Sequence, residues 1–242
     1  MSFKWNSILY LIAGLTVSGM SPREALGSDK SESLWDEAYY QHVEPSVRHG
    51  FDATGWSILG AGAVATVVAR QHDDGIRQKY GHKKVFSEDL SRFAAIWGSG
   101  AVGIGTASAQ LYFDYDNGVA HGKALAFTSF NHITMAALVR RGRPHKPDSW
   151  TSFPSGHSSS AFATASSLSQ SYGLWAAVPL YGAAMVTMAG RVSDDVHWFS
   201  DTVAGATLGI FWGRATAFQG DEIKLVPIFN HDSKGLGMTW RF

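Results

Sequence analysis

The chain has no cysteine, which excludes disulfides and thiolate metal centres and is compatible with any redox compartment. It has no net charge either. Its 20 lysines and arginines are matched by 20 aspartates and glutamates, whereas nucleic-acid binders carry a basic excess. Charge of both signs is scarce, at 17% of the 242 residues, against roughly 25% in ordinary globular chains. Much of the sequence must therefore be buried, in protein or in lipid. No internal repeat of roughly 20 to 50 residues is present, so a solenoid is unsupported.

What is present begins with a leader-like segment. Lys4 precedes an apolar run over residues 8–17, and the small residues Ala25 and Gly27 come before Ser28. This is the layout of a secretory signal peptide over residues 1–27, since the apolar run is short for a membrane span. Residues 28–52 mix aromatic and charged side chains and read as an amphipathic arm broken near Pro45. Uncharged, mostly apolar runs then cover 53–69, 93–113, 124–139, 158–171, 174–190 and 202–213. Their length favours helices over strands. A polar stretch, residues 114–123, separates the second run from the third. At the C-terminus two apolar runs flank residues 231–235, which predicts a β-hairpin with a five-residue turn in a tail of 219–242. The expected architecture is an all-α helical bundle over 53–218 with that small appendage.

The charges do not settle whether these helices cross a membrane. If 53–69, 93–113 and 124–139 all span after an exported N-terminus, the basic segment 140–144 becomes cytoplasmic. If the first does not span, acidic 114–123 becomes cytoplasmic instead, against the rule that inner loops are basic. Neither topology agrees with both the leader and the loop charges. The balance favours an exported bundle, soluble or membrane-attached.

Three clusters carry the chemistry. Arg140, Arg141, Arg143 and Pro144 end an apolar helix; arginine offers rigid, bidentate donors to phosphate oxygens, although last-turn arginines also simply complement a helix dipole. Ten residues on, Pro154-Ser155-Gly156-His157 forms a turn before an apolar run. Backbone N–H groups at such a helix start bind anions, Gly156 permits close approach, Ser155 adds a hydroxyl and His157 a transferable proton. A serine-capped helix with an incidental histidine explains the same residues without a ligand. The third cluster is Arg191, His197 and Asp201, spaced R-x5-H-x3-D. On one helix His197 and Asp201 share a face, so the carboxylate holds one ring nitrogen and frees the other. Asp194 or Asp195 is expected to N-cap that helix.

The three clusters in this order resemble the type 2 phosphatidic acid phosphatase superfamily, which shares its core with bacterial class A acid phosphatases and vanadium haloperoxidases. The resemblance covers residues 93–213 and implies a haloperoxidase-like helical bundle. It implies that Arg143, Arg191, Ser155 and the backbone of Gly156 and His157 cradle a phosphoryl group. His197 attacks phosphorus to form a phosphohistidine, Asp201 orients His197, and His157 protonates the leaving oxygen and later activates water. No metal or other cofactor is implied, the arginines standing in its place.

Two positions depart from the family pattern. The lysine of K-x6-R-P falls at Ala136, and the position before Arg191, often Ser in the family, is Gly190. Losing that cation from the cradle is costly, and Arg140, one turn after Ala136, is expected to reach the same volume. The resemblance implies a phosphatase acting on phosphate monoesters or pyrophosphates. The leading substrates are phosphorylated lipids at the periplasmic side of the inner membrane, so the expected partners are a lipid phosphate and a membrane surface. A soluble periplasmic acid phosphatase of broad specificity, a haloperoxidase, and a weakly active phospholipid-binding relative remain as alternatives, the last because of Ala136.

Overall fold

The structure, a computed structural model, describes residues 39–81, 83, 85–218, 222–230 and 233–241, the last two segments as backbone. The expected leader 1–27 and most of the arm lie outside the described residues. Contacts divide the chain into two units, Met1–Gln41 and His42–Phe242, and everything below concerns the second. Nine helices are described there: α1 (Glu44–Gly50), α2 (Ala53–Gln71), α3 (Asp73–Tyr80), α4 (Glu88–Gly98), α5 (Ala101–Phe113), α6 (Tyr115–Val139), α7 (Gly156–Tyr172), α8 (Leu174–Ser193) and α9 (Phe199–Ala215). Pro45 sits in the first turn of α1, where it starts a helix instead of breaking one.

Beyond the bundle, backbone segments β1 (Glu222–Asn230) and β2 (Ser233–Arg241) pair antiparallel, from Glu222↔Arg241 to Asn230↔Ser233. Ser233, Lys234 and Gly235 are thus paired within β2, not part of the five-residue turn expected over 231–235; residues 231 and 232 lie outside the described residues.

Helix boundaries differ from the apolar runs in two places. The single run 93–113 divides into α4 and α5 at Gly100, whose φ of +86° no ordinary helix residue adopts. Conversely, polar 114–123 is not a separator but the opening of α6. Its polar groups are tied inward. His121 Nδ1 lies 2.8 Å from Gln110 Oε1, Asn117 donates to Asp114 at 2.9 Å, and Ser171 donates to Asn117 at 2.8 Å. With these partners the segment continues as helix despite its composition.

At the centre α7 packs along α9, with α8, α6 and α4 around α7 and with α2, α6 and α1 around α9. Small residues make this possible. A Cβ on Gly205 would stand 2.5 Å from the Ser155 carbonyl oxygen, and one on Gly213 would stand 2.5 Å from Ser166 Cβ. One on Gly209 would overlap the Ser159 carbonyl oxygen. Since 205, 209 and 213 meet progressively later residues of α7, the two helices run parallel and their N-termini lie at the same end. The positive ends of two helix dipoles therefore point to one place.

The outer faces of the bundle are apolar. Trp56, Val64, Val67 and Val68 on α2 are exposed, as are Ile104 and Leu111 on α5, Phe130 and Ile133 on α6, and Leu174, Trp175 and Val178 on α8. Among the described residues no single helix is long and apolar enough to cross a membrane; one bent pair, Tyr39–Gly50 with Ala53–Gln71, meets that standard only when taken together.

Candidate active site

The end at which α7 and α9 begin is closed by two loops, 140–155 and 194–198, that are stitched to each other. His145 N–H donates to the Asp195 carbonyl at 3.2 Å, Trp198 Nε1 donates to the Gly142 carbonyl at 2.9 Å, and Ser155 N–H donates to the Asp201 carbonyl at 2.9 Å. Asp195, at φ +58°, reverses the chain after α8. Arg77 from α3 holds its carboxylate through Nε at 2.9 Å and Nη2 at 3.0 Å, and also donates to the Pro144 carbonyl at 2.6 Å. These ties set where Arg143 and His197 can point.

His197 is not on the same helix as Asp201. It precedes Trp198, the N-cap of α9, and Asp201 occupies the third helical position. The expected direct contact is replaced by a relay. His197 Nδ1 lies 2.8 Å from the Ser152 carbonyl oxygen, while Asp201 Oδ2 is 3.9 Å away. Asp201 Oδ2 instead accepts from Ser152 Oγ at 2.5 Å and from Trp198 N–H at 3.1 Å, and Oδ1 accepts from Arg141 at 2.6 Å. A carbonyl oxygen only accepts, so Nδ1 carries the proton and Nε2 keeps its lone pair. Neither Asp194 nor Asp195 caps this helix: the N-cap is Trp198, and Asp201 at the third position accepts its backbone N–H.

Sequence reasoning passed over Ser152, Asp73 and the role of Arg141. Arg141 bridges two buried carboxylates, reaching Asp73 at 2.8 Å as well as Asp201. Asp73 also accepts from Ser200 N–H at 2.9 Å and Ser200 Oγ at 2.6 Å, which fastens α3 to the start of α9. Trp198 lies between Arg77 and Arg141, 5.4 and 5.1 Å from the two guanidinium carbons. Arg141 is therefore a structural cation, and no spacing rule distinguished it from its neighbours.

Arg143, Arg191, His157 and His197 do converge. Burial pushes the His197 imidazole down to about 3, and the positive charge of Arg143 deepens the effect against the opposing Ser152 hydrogen bond. Burial and the charges of Arg191 and Arg143 push His157 down to about 4. Burial likewise lowers Arg191. The Nε atoms of both Arg143 and Arg191 are buried with no hydrogen-bond partner among the described residues. Two guanidiniums crowd two neutral histidines with donors left unused. Only Arg191 has a carboxylate at hand, Asp194, and the free Nε donors suit an oxyanion.

The remaining sequence candidates are placed less simply. Ser155 is fully buried, and its Oγ caps α7 by accepting from Ser158 N–H at 3.4 Å. Gly156 and His157 occupy the first two positions of α7. Arg140 is outside the cluster. It ends α6 in the left-handed conformation, φ 51°, is exposed, and lies 5.8 Å over the Trp150 ring. Asp194 accepts from Arg191 Nη2 at 2.8 Å and from Ser91 at 3.2 Å. Among the described residues no group of three histidines or carboxylates is arranged to hold a metal ion.

Residues 119–222 match the family model described as PAP2 superfamily. The lipid A 1-phosphatase of Porphyromonas gingivalis is 34% identical over 102 residues, which cover 38% of this chain and 23% of that protein. The chain thus matches less than a quarter of this curated relative's length. The crystal structure of Aquifex aeolicus LpxE is similar in fold, with a TM-score of 0.52 at 23% identity, covering 59% of this chain and 92% of that one.

Proposed function

We propose, from the match of residues 119–222 to the PAP2 superfamily model, that the chain is a member of that superfamily and a phosphatase of phosphate monoesters or pyrophosphates borne by lipids. The observation that carries the reading is the pair of buried, unpartnered guanidinium Nε atoms on Arg143 and Arg191 beside His157 and His197. A phosphoryl group supplies the acceptors these donors lack, and the parallel starts of α7 and α9 add backbone N–H groups and dipole ends of the same sign.

In this reaction His197 Nε2 attacks phosphorus in line, with Nδ1–H held by the Ser152 carbonyl. The bond from phosphorus to the leaving oxygen breaks, and that oxygen takes a proton from His157. Water then attacks the phosphohistidine, giving its proton to His157 and releasing orthophosphate and free His197. His157 must be protonated for the first step. The arriving phosphoryl charge offsets Arg143 and Arg191, which otherwise hold its proton affinity down. Asp201 works through Ser152 and contributes positioning, not direct contact. The arginines take the part a metal ion plays in other phosphoryl-transfer sites.

A lipid substrate is favoured by the apolar outer faces of α2, α5, α6 and α8, which suit acyl chains or a bilayer surface, and by the named activity of the Porphyromonas relative. We assign catalysis to residues 53–218, with the leader 1–27, arm 28–52 and tail 219–242 as accessory parts, and place the site on the periplasmic side. The deciding assay follows phosphate release from phosphatidic acid, lipid A, undecaprenyl pyrophosphate and p-nitrophenyl phosphate, with His197→Ala as control. Release from lipid substrates supports the reading. Release from p-nitrophenyl phosphate alone indicates a broad acid phosphatase, and no release above the control indicates a binding protein.

A further inference from the structure

His132 is the histidine of the cluster that this reaction leaves unused. It lies on α6 four residues before Ala136, so the two share a helix face. Ala136 is buried, and its methyl group cannot reach a ligand. His132 does reach the cradle. A Cβ on Gly156 would meet its ring at Cε1, 2.8 Å, and at Nε2, 2.9 Å. The imidazole therefore rests against the first residue of α7, beside the backbone that turns into His157. Burial and the charge of Arg143 lower its pKa, and its own charge is among the influences on His157. Burial and Arg143 are the influences on its ring, and no carboxylate is among them. A half-buried imidazole beside an unpaired arginine has an electrostatic rationale once an anion sits between them.

Resting on the phosphatase reading above, we propose that His132 is the third arm of the phosphoryl cradle, contacting from one helical turn earlier the oxygen that the family's lysine contacts and Ala136 cannot. The longer reach of the imidazole from position 132 replaces the lysine stem from position 136, and Gly156 is small because the ring needs that volume.

The test combines orthovanadate binding, measured by calorimetry, with steady-state turnover for His132→Ala, His132→Asn and the double variant His132→Ala/Ala136→Lys. Loss of a cradle donor is expected to lower kcat/KM by about 10² and to weaken vanadate binding in both single variants. The double variant, with a lysine restored at the family position, is expected to recover a large part of both. The asparagine variant keeps a polar group too short to reach where the ring's Cε1–Nε2 edge lies, and guards against a folding defect in the alanine variant. Vanadate binding and turnover at the wild-type level in either folded single variant overturn the role of His132 while leaving the phosphatase reading intact. If the wild type turns over no substrate, the phosphatase reading fails, and vanadate affinity alone still decides whether His132 belongs to an oxyanion site.

Discussion

His197 and Ser152 are joined by a 2.8 Å hydrogen bond from the imidazole Nδ1 to a main-chain oxygen, so the ring is oriented by backbone. The carboxylate of Asp201 acts one step removed, on the hydroxyl of the same serine.

This relay predicts coupling. Ser152→Ala removes a charge-assisted hydrogen bond and is expected to cost about 1.5–3 kcal/mol of stability. It should also reproduce part of the activity loss of Asp201→Ala. The double variant should be no worse than Asp201→Ala alone. Losses that simply add, in a double-mutant cycle on kcat, show that the two residues act independently.

Arg141 is expected to matter for folding more than for chemistry. Arg141→Met leaves the buried carboxylates of Asp73 and Asp201 without their shared cation, and breaking such a pair costs about 3–5 kcal/mol. The thermal unfolding midpoint should fall sharply, and Arg141→Lys should recover little because one ammonium cannot span both acids. An unchanged midpoint contradicts the network.

The two neighbouring arginines should separate cleanly. Arg143→Ala removes a cradle donor and is expected to lower kcat by about 10² to 10³. Arg140→Ala loses only an exposed stacking contact on Trp150, so activity should stay within about two-fold. Equal losses from both changes place Arg140 in the cradle after all.

Acid should loosen the bundle around His121, away from the site. His121 is fully buried between Gln110 and Thr164, and burial lowers its pKa from 6.5 to about 4. Because the folded value is depressed, the unfolded chain binds more protons between these limits. The stabilisation is complete above pH 6.5 and is lost as pH falls towards about 4, on the order of 3 kcal/mol. Unfolding midpoints of wild type and His121→Gln across this range test it, and the variant should show the shallower slope. Parallel slopes assign the acid sensitivity elsewhere.

Much of this organisation is written locally. Uncharged runs of helical length gave the bundle, and the spacings around Arg143, His157 and Arg191–His197 gave the convergent groups, because each motif sits at a loop or helix start whose geometry depends on nearby residues. What the sequence hid depends on distant partners. Residues 114–123 look like a loop until Gln110 and Ser171 are seen to satisfy them. Helical spacing put His197 on the face of Asp201, but the reversal at Asp195 and the cap at Trp198 leave His197 outside α9. Arg140 satisfies the spacing from Ala136 in the C-terminal direction, yet α6 ends there; the same spacing counted backwards reaches His132, a lone imidazole in an otherwise apolar run. Counting in both directions from the vacant position is the signal that was available.

The seam at Gly205, Gly209 and Gly213 has a consequence for motion. Where two backbones touch, α7 and α9 cannot come closer, and spreading them would give up the contact at all three glycines. Any adjustment at the end where both helices start is therefore expected in loops 140–155 and 194–198 and not between the helices.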